Sequence, residues 1–175
     1  MIVEYNYSKD DILNEVDKTT AYLGAKQVSE GNLYGRISTI AEDREMLNRF
    51  FHEACAMISG IGKKFIKTSS FGEDDENFYI EYSLPESWNE AMEAPLKQDI
   101  YSFIVNYIIA RWFVICGSEY AKVYSEYATQ NNTNILKELY SVIIINVTEE
   151  GAINNSAGGV MPQNIGESTI EVIHY

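Results

Sequence analysis

Residues 95–130, PLKQDIYSFIVNYIIARWFVICGSEYAKVYSEYATQ, decide the fold of this chain. No proline or glycine interrupts the segment from Leu96 to Cys116, and its apolar residues recur at the spacing of one helix face. That face comprises Leu96, Ile100, Phe103, Ile104, Tyr107, Ile108, Trp112 and Ile115. Further apolar residues make the middle of the segment apolar almost all round. The pattern predicts a long central helix that runs to residue 130 and buries Phe103 and Trp112.

Residues 100–118 of this helix are nearly long enough to span a bilayer. However, Asn106 and Arg111 lie within them, and an arginine near the centre of a span costs roughly 2.5 to 3.5 kcal/mol. No basic cluster flanks either end, and other amphipathic segments need a partner for their apolar faces. The sequence therefore favours a helix buried in protein, with no membrane partner. Within such a helix, Arg111 predicts a buried ion pair with a carboxylate, or an interface contact.

The composition predicts a single acidic domain. A chain of 175 residues, 46% of them hydrophobic, can fill one core. Thirteen basic residues against 26 acidic ones give a net charge of −13. This charge disfavours sequence-specific nucleic-acid binding, because affinity for phosphates depends on Lys and Arg. It suits a protein that meets a basic surface.

The cysteines and the N-terminal residues predict a product that stays in the cytoplasm. Cys55 and Cys116 both lie in apolar helix faces, where we expect reduced core residues rather than a disulfide. Residues 1–11, MIVEYNYSKDD, have acids where a signal peptide needs bases, and they contain no apolar h-region. Export is therefore not expected.

Two amphipathic helices are predicted before residue 62. Their caps are Ser8 and Asp11 for the first helix, and Thr39 and Glu42 for the second. Gly24 is expected to end the first helix, with a glycine-containing loop over residues 25–38. Gly60 and Gly62 are expected to end the second. Its predicted buried face consists of Leu47, Phe50, Phe51, Ala54, Cys55 and Ile58.

Two shorter helices are predicted, one before and one after the central helix. Pro85 is expected to open a short third helix around Trp88, and Pro95 suits the first turn of the central helix. After residue 130, the run NNTN at 131–134 predicts a turn and a cap. A fifth helix then begins at Ile135.

Alternating residues predict short strands at several places. The first is residues 1–7, and the second is residues 78–84, with 65–68 as its hairpin partner across an acidic loop at 73–76. Residues 142–147 are β-branched and remain open between helix and strand. Residues 149–168 lack periodicity and are expected to form an extended arm that ends in a strand over 169–175.

The predicted fold class is mainly α, of the α+β type. We expect a bundle of four to five helices around the long central helix, with a small antiparallel β element and an extended C-terminal arm. The domain is expected to cover residues 1–148 and the arm residues 149–175.

No constellation of residues predicts an enzyme. His52 and Cys55 are neighbours on one helix, but Cys55 lies on the apolar face near the C-terminal end, away from any group that stabilises a thiolate. Residues 60–64, GIGKK, fail the spacing of a phosphate-binding loop and are typical of a turn that ends a helix. The acidic loop 73–76 lacks the alternating ligands of a calcium site. No cofactor and no metal are predicted.

The order of segments resembles the head–tail connector (adaptor) proteins of tailed bacteriophages. The corresponding stretches are SKDDILNEVDKTTAYLG at 8–24, EDREMLNRFFHEACAMI at 42–58, NFYIEYSLP at 77–85, and residues 95–128 with NILKELY at 134–140. The long loop at 25–38 and the tail after Thr148 depart from that pattern. The resemblance implies a non-enzymatic virion protein, made in the bacterial cytoplasm. It also implies a homo-oligomeric ring beneath the portal that contacts portal and tail proteins.

Strand addition is the predicted mode of assembly, since main-chain hydrogen bonds join neighbours readily. The candidate contacts are Thr169, Ile170, Glu171, Val172 and Ile173 of the tail, with Val3 and Tyr5 of the first strand. A lone terminal strand would leave its backbone unpaired. We therefore expect it to join residues 1–7 of its own subunit or an edge in a neighbour, with a neighbour supplying at least part of that edge.

Two other functions remain open at this point. The first is a small-ligand-binding or enzymatic helical domain whose site lies between the bundle helices, where titrating polar groups would converge on a cavity. The second is a monomeric regulator that binds a basic partner through its acidic faces.

Overall fold

The computed structural model describes residues 1–29, 37–73, 75–144 and 171–173, and it confirms the predicted class. Four α-helices surround or form the core, with a small antiparallel sheet beside them. The helices are α1 (Lys9–Ser29), α2 (Arg44–Ile58), α3 (Glu93–Cys116) and α4 (Tyr120–Leu139). The strands are β1 (Ile2–Ser8), β2 (Ile66–Phe71), β3 (Asn77–Ser83), β4 (Val142–Ile144) and β5 (Glu171–Ile173).

Helix α3 is the central helix, as predicted. Its buried residues are Leu96, Ile100, Phe103, Ile104, Val105, Ile108, Ile109, Ala110, Trp112 and Phe113. Phe103 and Trp112 are each 2% exposed, and the indole N–H of Trp112 donates to the carbonyl of Ile37 at 2.7 Å. The segment Glu90–Cys116 is long and apolar enough to cross a membrane by length and composition, but half of its apolar window is buried inside the protein.

The prediction that this helix continues to residue 130 is wrong. It ends at Cys116, where Gly117 has φ of 65° and the N–H of Ser118 donates to the carbonyl of Phe113 at 2.9 Å. A glycine enters this left-handed conformation without the steric cost of a Cβ. The chain then reverses, and α4 packs antiparallel against α3. Residues 131–134, predicted as a turn, lie inside α4.

Helix α1 also passes its predicted end. Gly24 lies within the helix, which continues to Ser29, so the first part of the predicted loop 25–38 is helical. A Cβ at Gly24 would lie 2.3 Å from the side-chain oxygen of Ser38, so the glycine permits close packing of the segment that precedes α2. Residues 30–36 of the predicted loop lie outside the described residues.

Helix α2 buries its predicted face but starts differently. A short 3₁₀ turn at Ala41–Asp43 precedes it, and the Asp43 carboxylate accepts from the N–H of Ile40 at 2.9 Å. Thr39, the predicted cap, instead donates its hydroxyl to Asp17 on α1 at 2.6 Å. The predicted face, Leu47, Phe50, Phe51, Ala54, Cys55 and Ile58, is buried. The helix ends at Ile58, before the predicted glycines.

The main sheet has the order β1–β3–β2, with antiparallel pairing throughout. Its inner face is formed by the buried residues Val3, Tyr5, Tyr7, Phe78, Ile80 and Tyr82. This alternation confirms the two predicted strands. The hairpin partner of β3 is also confirmed, although β2 covers Ile66–Phe71 rather than 65–68.

The predicted short helix around Trp88 is replaced by a 3₁₀ turn at Glu90–Met92. The Trp88 side chain is 2% exposed, and its indole N–H donates to the carbonyl of Glu138 at 2.7 Å. Trp88 also forms a β-bridge with Val142. Tertiary contacts thus override the helical tendency of this segment.

The C-terminal strand has a partner that the sequence did not suggest. Strand β5 pairs antiparallel with β4 of the same chain, with Val142 opposite Ile173 and Ile144 opposite Glu171. The partner of residues 171–173 is therefore β4 rather than β1, and the expected contact with a neighbour stays a prediction. The open assignment at 142–147 is a strand for Val142–Ile144. The predicted domain boundary at 148 and the arm at 149–170 lie outside the described residues.

Candidate functional site

The outer edge of β1 exposes backbone hydrogen-bonding groups. Met1 and Leu84 exchange two backbone hydrogen bonds, at 2.8 and 2.9 Å. In an antiparallel pair such residues alternate with residues whose N–H and C=O turn away from the partner strand. Odd-numbered residues of β1 therefore bond to β3, whereas Ile2, Glu4 and Asn6 direct their backbone groups outward. Among the described residues, no backbone hydrogen bond reaches this edge.

A groove runs along this edge, and the first turns of α3 form its far wall. Two adjoining parts of about 230 and 410 Å³ share Ala94 and Lys97. The lining comprises Tyr5, Asn6, Tyr7, Ser8, Asp11, Glu90, Ala91, Glu93, Ala94, Lys97, Gln98 and Tyr101. We call this feature the β1–α3 groove. It is open to solvent along its length.

Two tyrosine hydroxyls fix the spacing between the walls of the β1–α3 groove. Tyr5 donates to the carbonyl of Glu93 at 2.8 Å, and Tyr7 donates to the carbonyl of Lys97 at 3.1 Å. Two residues of a strand rise about 6.8 Å and four residues of a helix rise about 6 Å, so the two contacts match. Strand and helix therefore run side by side in the same direction.

The opposite edge of the sheet, β2, is open as well. Gly72 donates to the carbonyl of Asn77 at 2.9 Å, so Ser70 bonds to β3, while Ser69 and Phe71 direct their backbone groups outward. The four central residues of β2, Lys67 to Ser70, are exposed. In the part of the chain that the structure describes, no other strand covers this edge. The sheet thus ends in two chemically different open edges.

The predicted assembly contacts need correction. Val3 and Tyr5 are each 3% exposed, and their backbone groups are bonded to β3, so the contact-competent residues of β1 are its even-numbered ones. Glu171, Val172 and Ile173 are paired with β4. Thr169 and Ile170 lie outside the described residues.

The predicted buried ion pair of Arg111 exists but is not buried. The guanidinium lies 3.4 Å from the Glu53 carboxylate, and its side chain is 47% exposed. It also lies over the Phe50 ring, 5.4 Å from the ring centroid. The aliphatic part of Arg111 covers the apolar helix, while the charged end reaches solvent.

The pair His52 and Cys55 is not arranged for nucleophilic catalysis. Cys55 is fully buried, and burial raises the pKa of its thiol, so the neutral form dominates. His52 instead contacts Asp75 at 2.8 Å and packs on the ring of Phe71. These contacts pack the turn between β2 and β3 against α2. Among the described residues, no group of His, Cys, Asp or Glu has the arrangement of a metal site.

A buried polar cluster between α3 and α4 was missed by the sequence reasoning. Glu138 is 8% exposed, and its carboxyl lies next to that of Asp99. Burial first, and then the neighbouring Asp99, raise the pKa of Glu138 from 4.5 to about 8. Asn131 donates to the same Asp99 carboxylate at 2.7 Å. The sequence signal for this cluster is the helical spacing of its polar residues at 131, 134 and 138. The predicted turn at 131–134 and the separate helix from Ile135 hid this spacing.

The polar cluster continues to a second groove, between α1 and α4. Asn106 donates to Asn131 at 2.9 Å, which links the floor of this groove to the carboxyl groups of Asp99 and Glu138. The volume is about 400 Å³. The lining residues are Glu15, Thr19, Gln98, Tyr101, Ser102, Val105, Asn106, Ile109, Tyr124 and Tyr127. We call this feature the α1–α4 groove.

Comparison with protein-family models, with curated proteins and with solved structures finds no match for this chain. Its function is therefore inferred from the geometry of the surfaces and clusters described above.

Proposed function

We propose that this chain is a non-enzymatic structural subunit of a tailed-phage or prophage virion, resembling the head–tail connectors that form a ring beneath the portal. The observation that carries the proposal is the sheet with two open edges. Its even-numbered β1 residues and Ser69 of β2 direct backbone groups outward on opposite sides. A strand from another chain can add to such an edge through main-chain hydrogen bonds.

Two different edges suit a ring better than a two-fold dimer. An interface between unlike surfaces is heterologous, and repetition of such an interface closes into a ring when the rotation between subunits allows it. The β1 edge lies beside α3, whereas the β2 edge carries exposed polar side chains. Contacts between copies through the β2 edge and a different surface of the next copy would therefore be heterologous, and the β1 edge stays available to another virion protein.

The net charge of −13 fits the same role. It keeps the free subunit soluble, and it directs the subunit towards basic surfaces of other virion proteins, such as portal and tail proteins. The pair His52 and Cys55 is not arranged as a catalytic nucleophile, because Cys55 is buried as a neutral thiol and His52 contacts Asp75.

Native mass measurement of the purified chain over a range of concentrations tests the proposal. We expect oligomers of defined size in the wild type. Ser69→Pro removes the outward N–H of β2 and should shift the equilibrium towards monomer, whereas Ser69→Ala keeps the backbone and should not. A wild-type chain that stays monomeric at every concentration, both alone and with a portal protein, contradicts the proposal.

One observation favours a second candidate function, a small-ligand-binding or enzymatic domain with its site between the bundle helices. Asn106 and Asn131 connect the α1–α4 groove to Asp99 and Glu138, and a carboxyl with a raised pKa near a groove, as at Glu138, is typical of functional sites. Thermal unfolding with a metabolite mixture distinguishes the two functions. A stabilisation that Asp99→Asn abolishes and the exposed control Glu126→Gln preserves would favour the ligand site.

A further inference from the structure

We propose that the β1–α3 groove binds an extended segment of a partner protein, with basic residues at both ends of the segment. The inference rests on the proposed function, because it assigns the partner chemistry of one of the two open edges. The other edge, β2, remains the surface for contacts between copies of this chain.

The outward backbone groups of β1 suit the binding of an extended strand. Glu4 and Asn6 direct N–H and C=O groups away from β3, and Asn6 lines the groove. A paired strand would lie about 4.8 Å from β1. The bonds from Tyr5 and Tyr7 to α3 hold the far wall in place. An incoming strand therefore meets a preformed edge and orders little of the protein on binding.

The charges that line the groove favour a segment with basic ends. Asp11 lies at the Ser8 end, Glu90 and Glu93 lie at the Tyr5 end, and Lys97 lies between them. Carboxylates at both ends favour Lys or Arg at both ends of the bound segment and disfavour them in its middle. An acidic segment is a poor occupant, because its carboxylates would face Asp11, Glu90 and Glu93.

Fluorescence anisotropy with synthetic peptides tests the chemistry. The probe is a labelled peptide of sequence RTVSVTR, and the matched control, ETVSVTE, differs only in its end charges. Full-length protein at low salt should bind the basic peptide at least tenfold more tightly than the acidic one, and added salt should weaken that binding, because exposed charges are screened. Equal binding of the two peptides, or binding of neither, overturns the inference.

Substitutions in β1 and in the groove then test where the peptide binds. Glu4→Pro removes an outward N–H and should abolish binding, whereas Glu4→Ala keeps the backbone and should change affinity by less than about twofold. Glu90→Gln with Glu93→Gln should weaken binding about three- to tenfold, as expected for two rim charges. Glu119→Gln, just before α4, with Glu126→Gln, within α4, removes the same charge elsewhere and should have no effect.

The outcomes separate this inference from the proposed function. The charge variants leave the backbone unchanged, so they decide the matter even where Glu4→Pro fails to fold. Unaltered affinity in the Glu90 and Glu93 variant rejects the inference, whether or not the chain forms oligomers. Oligomers that Glu4→Pro dissociates, with no peptide binding, would show a second copy in the groove and also reject it. Peptide binding by a chain that never assembles would reject the proposed function and leave the inference standing.

Discussion

The carboxyl groups of Glu138 and Asp99 lie next to each other between α3 and α4. Glu138 is 8% exposed, and its Oε2 atom is buried without a partner among the described residues. Burial first, and then the neighbouring Asp99, raise the pKa of Glu138 to about 8, so Glu138 holds a proton near neutral pH. The stability of the packing between α3 and α4 therefore depends on pH.

The stability of the protein should fall as pH rises through this titration. The pKa of Glu138 is about 8 in the folded chain against 4.5 as the ordinary value, so the folded state holds more protons between these pH values. The stabilisation by this group is therefore complete below pH 4.5 and lost above pH 8. Between them, the free energy of unfolding should decrease by up to about 1.4 kcal/mol per pH unit.

Urea unfolding of Glu138→Gln at pH 5, 7 and 9 checks this prediction. The glutamine cannot ionise, so the variant should gain stability relative to wild type as the pH rises. Glu126→Gln, on the exposed side of α4, serves as the control and should track the wild type. A constant difference between Glu138→Gln and wild type at all three pH values would contradict the assignment.

Trp112→Ala should destabilise the protein by about 3 to 5 kcal/mol, because it leaves a large cavity beside α3. It also removes the hydrogen bond to the carbonyl of Ile37. The free energy of unfolding in urea measures the loss. Val114→Ala, at a position on the same helix that is 64% exposed, should cost less than about 1 kcal/mol. Similar losses in the two variants would argue against α3 as the central helix.

Cys55 should react with a thiol reagent far more slowly than Cys116 in the folded protein. Cys55 is fully buried, and burial raises the pKa of its thiol, whereas Cys116 is partly exposed. Labelling with a chromogenic disulfide reagent, with Cys116→Ser to isolate Cys55, gives the two rates. Cys55→Ser should preserve assembly at a modest loss of stability. Rapid labelling of Cys55, or loss of an enzymatic activity in a folded Cys55→Ser variant, would speak against a structural role.

The pairing of β5 with β4 in the same chain is open to a crosslinking test. Val142 lies opposite Ile173, and facing residues of antiparallel strands have Cα atoms about 4.5 to 5.5 Å apart, within reach of a disulfide. Val142→Cys with Ile173→Cys, in a Cys116→Ser background, should oxidise to a crosslink within one chain. Val142→Cys with Glu171→Cys is out of register and should crosslink less. Covalent dimers as the main product would show that a neighbour supplies the strand.

Local sequence patterns predicted those features that depend on the residues of a single helix or strand. The buried face of α2, the burial of Trp112 and the alternation of Phe78, Ile80 and Tyr82 all follow from periodicity. The errors lie where tertiary contacts decide. Gly117 turns the chain because α4 has α3 to pack on, although the run at 131–134 has stronger turn residues.

The candidate site was less predictable than the fold. The strands β1 and β3 were identified, but their adjacency was not, and only that pairing shows which residues of β1 keep free backbone groups. Asp99 and Glu138 are 39 positions apart in the numbering, and no local pattern links them. Non-local pairing of this kind is set by packing, which a single sequence does not display.

Native mass spectrometry of this chain mixed with a phage portal protein tests the proposed connector role most directly. The account predicts one dominant complex whose mass equals the portal assembly plus a fixed, whole number of copies of this chain. Ser69→Pro, which blocks the β2 edge, should reduce that complex, and Ser69→Ala should not. A chain that remains monomeric and unbound at every mixing ratio would contradict the claim.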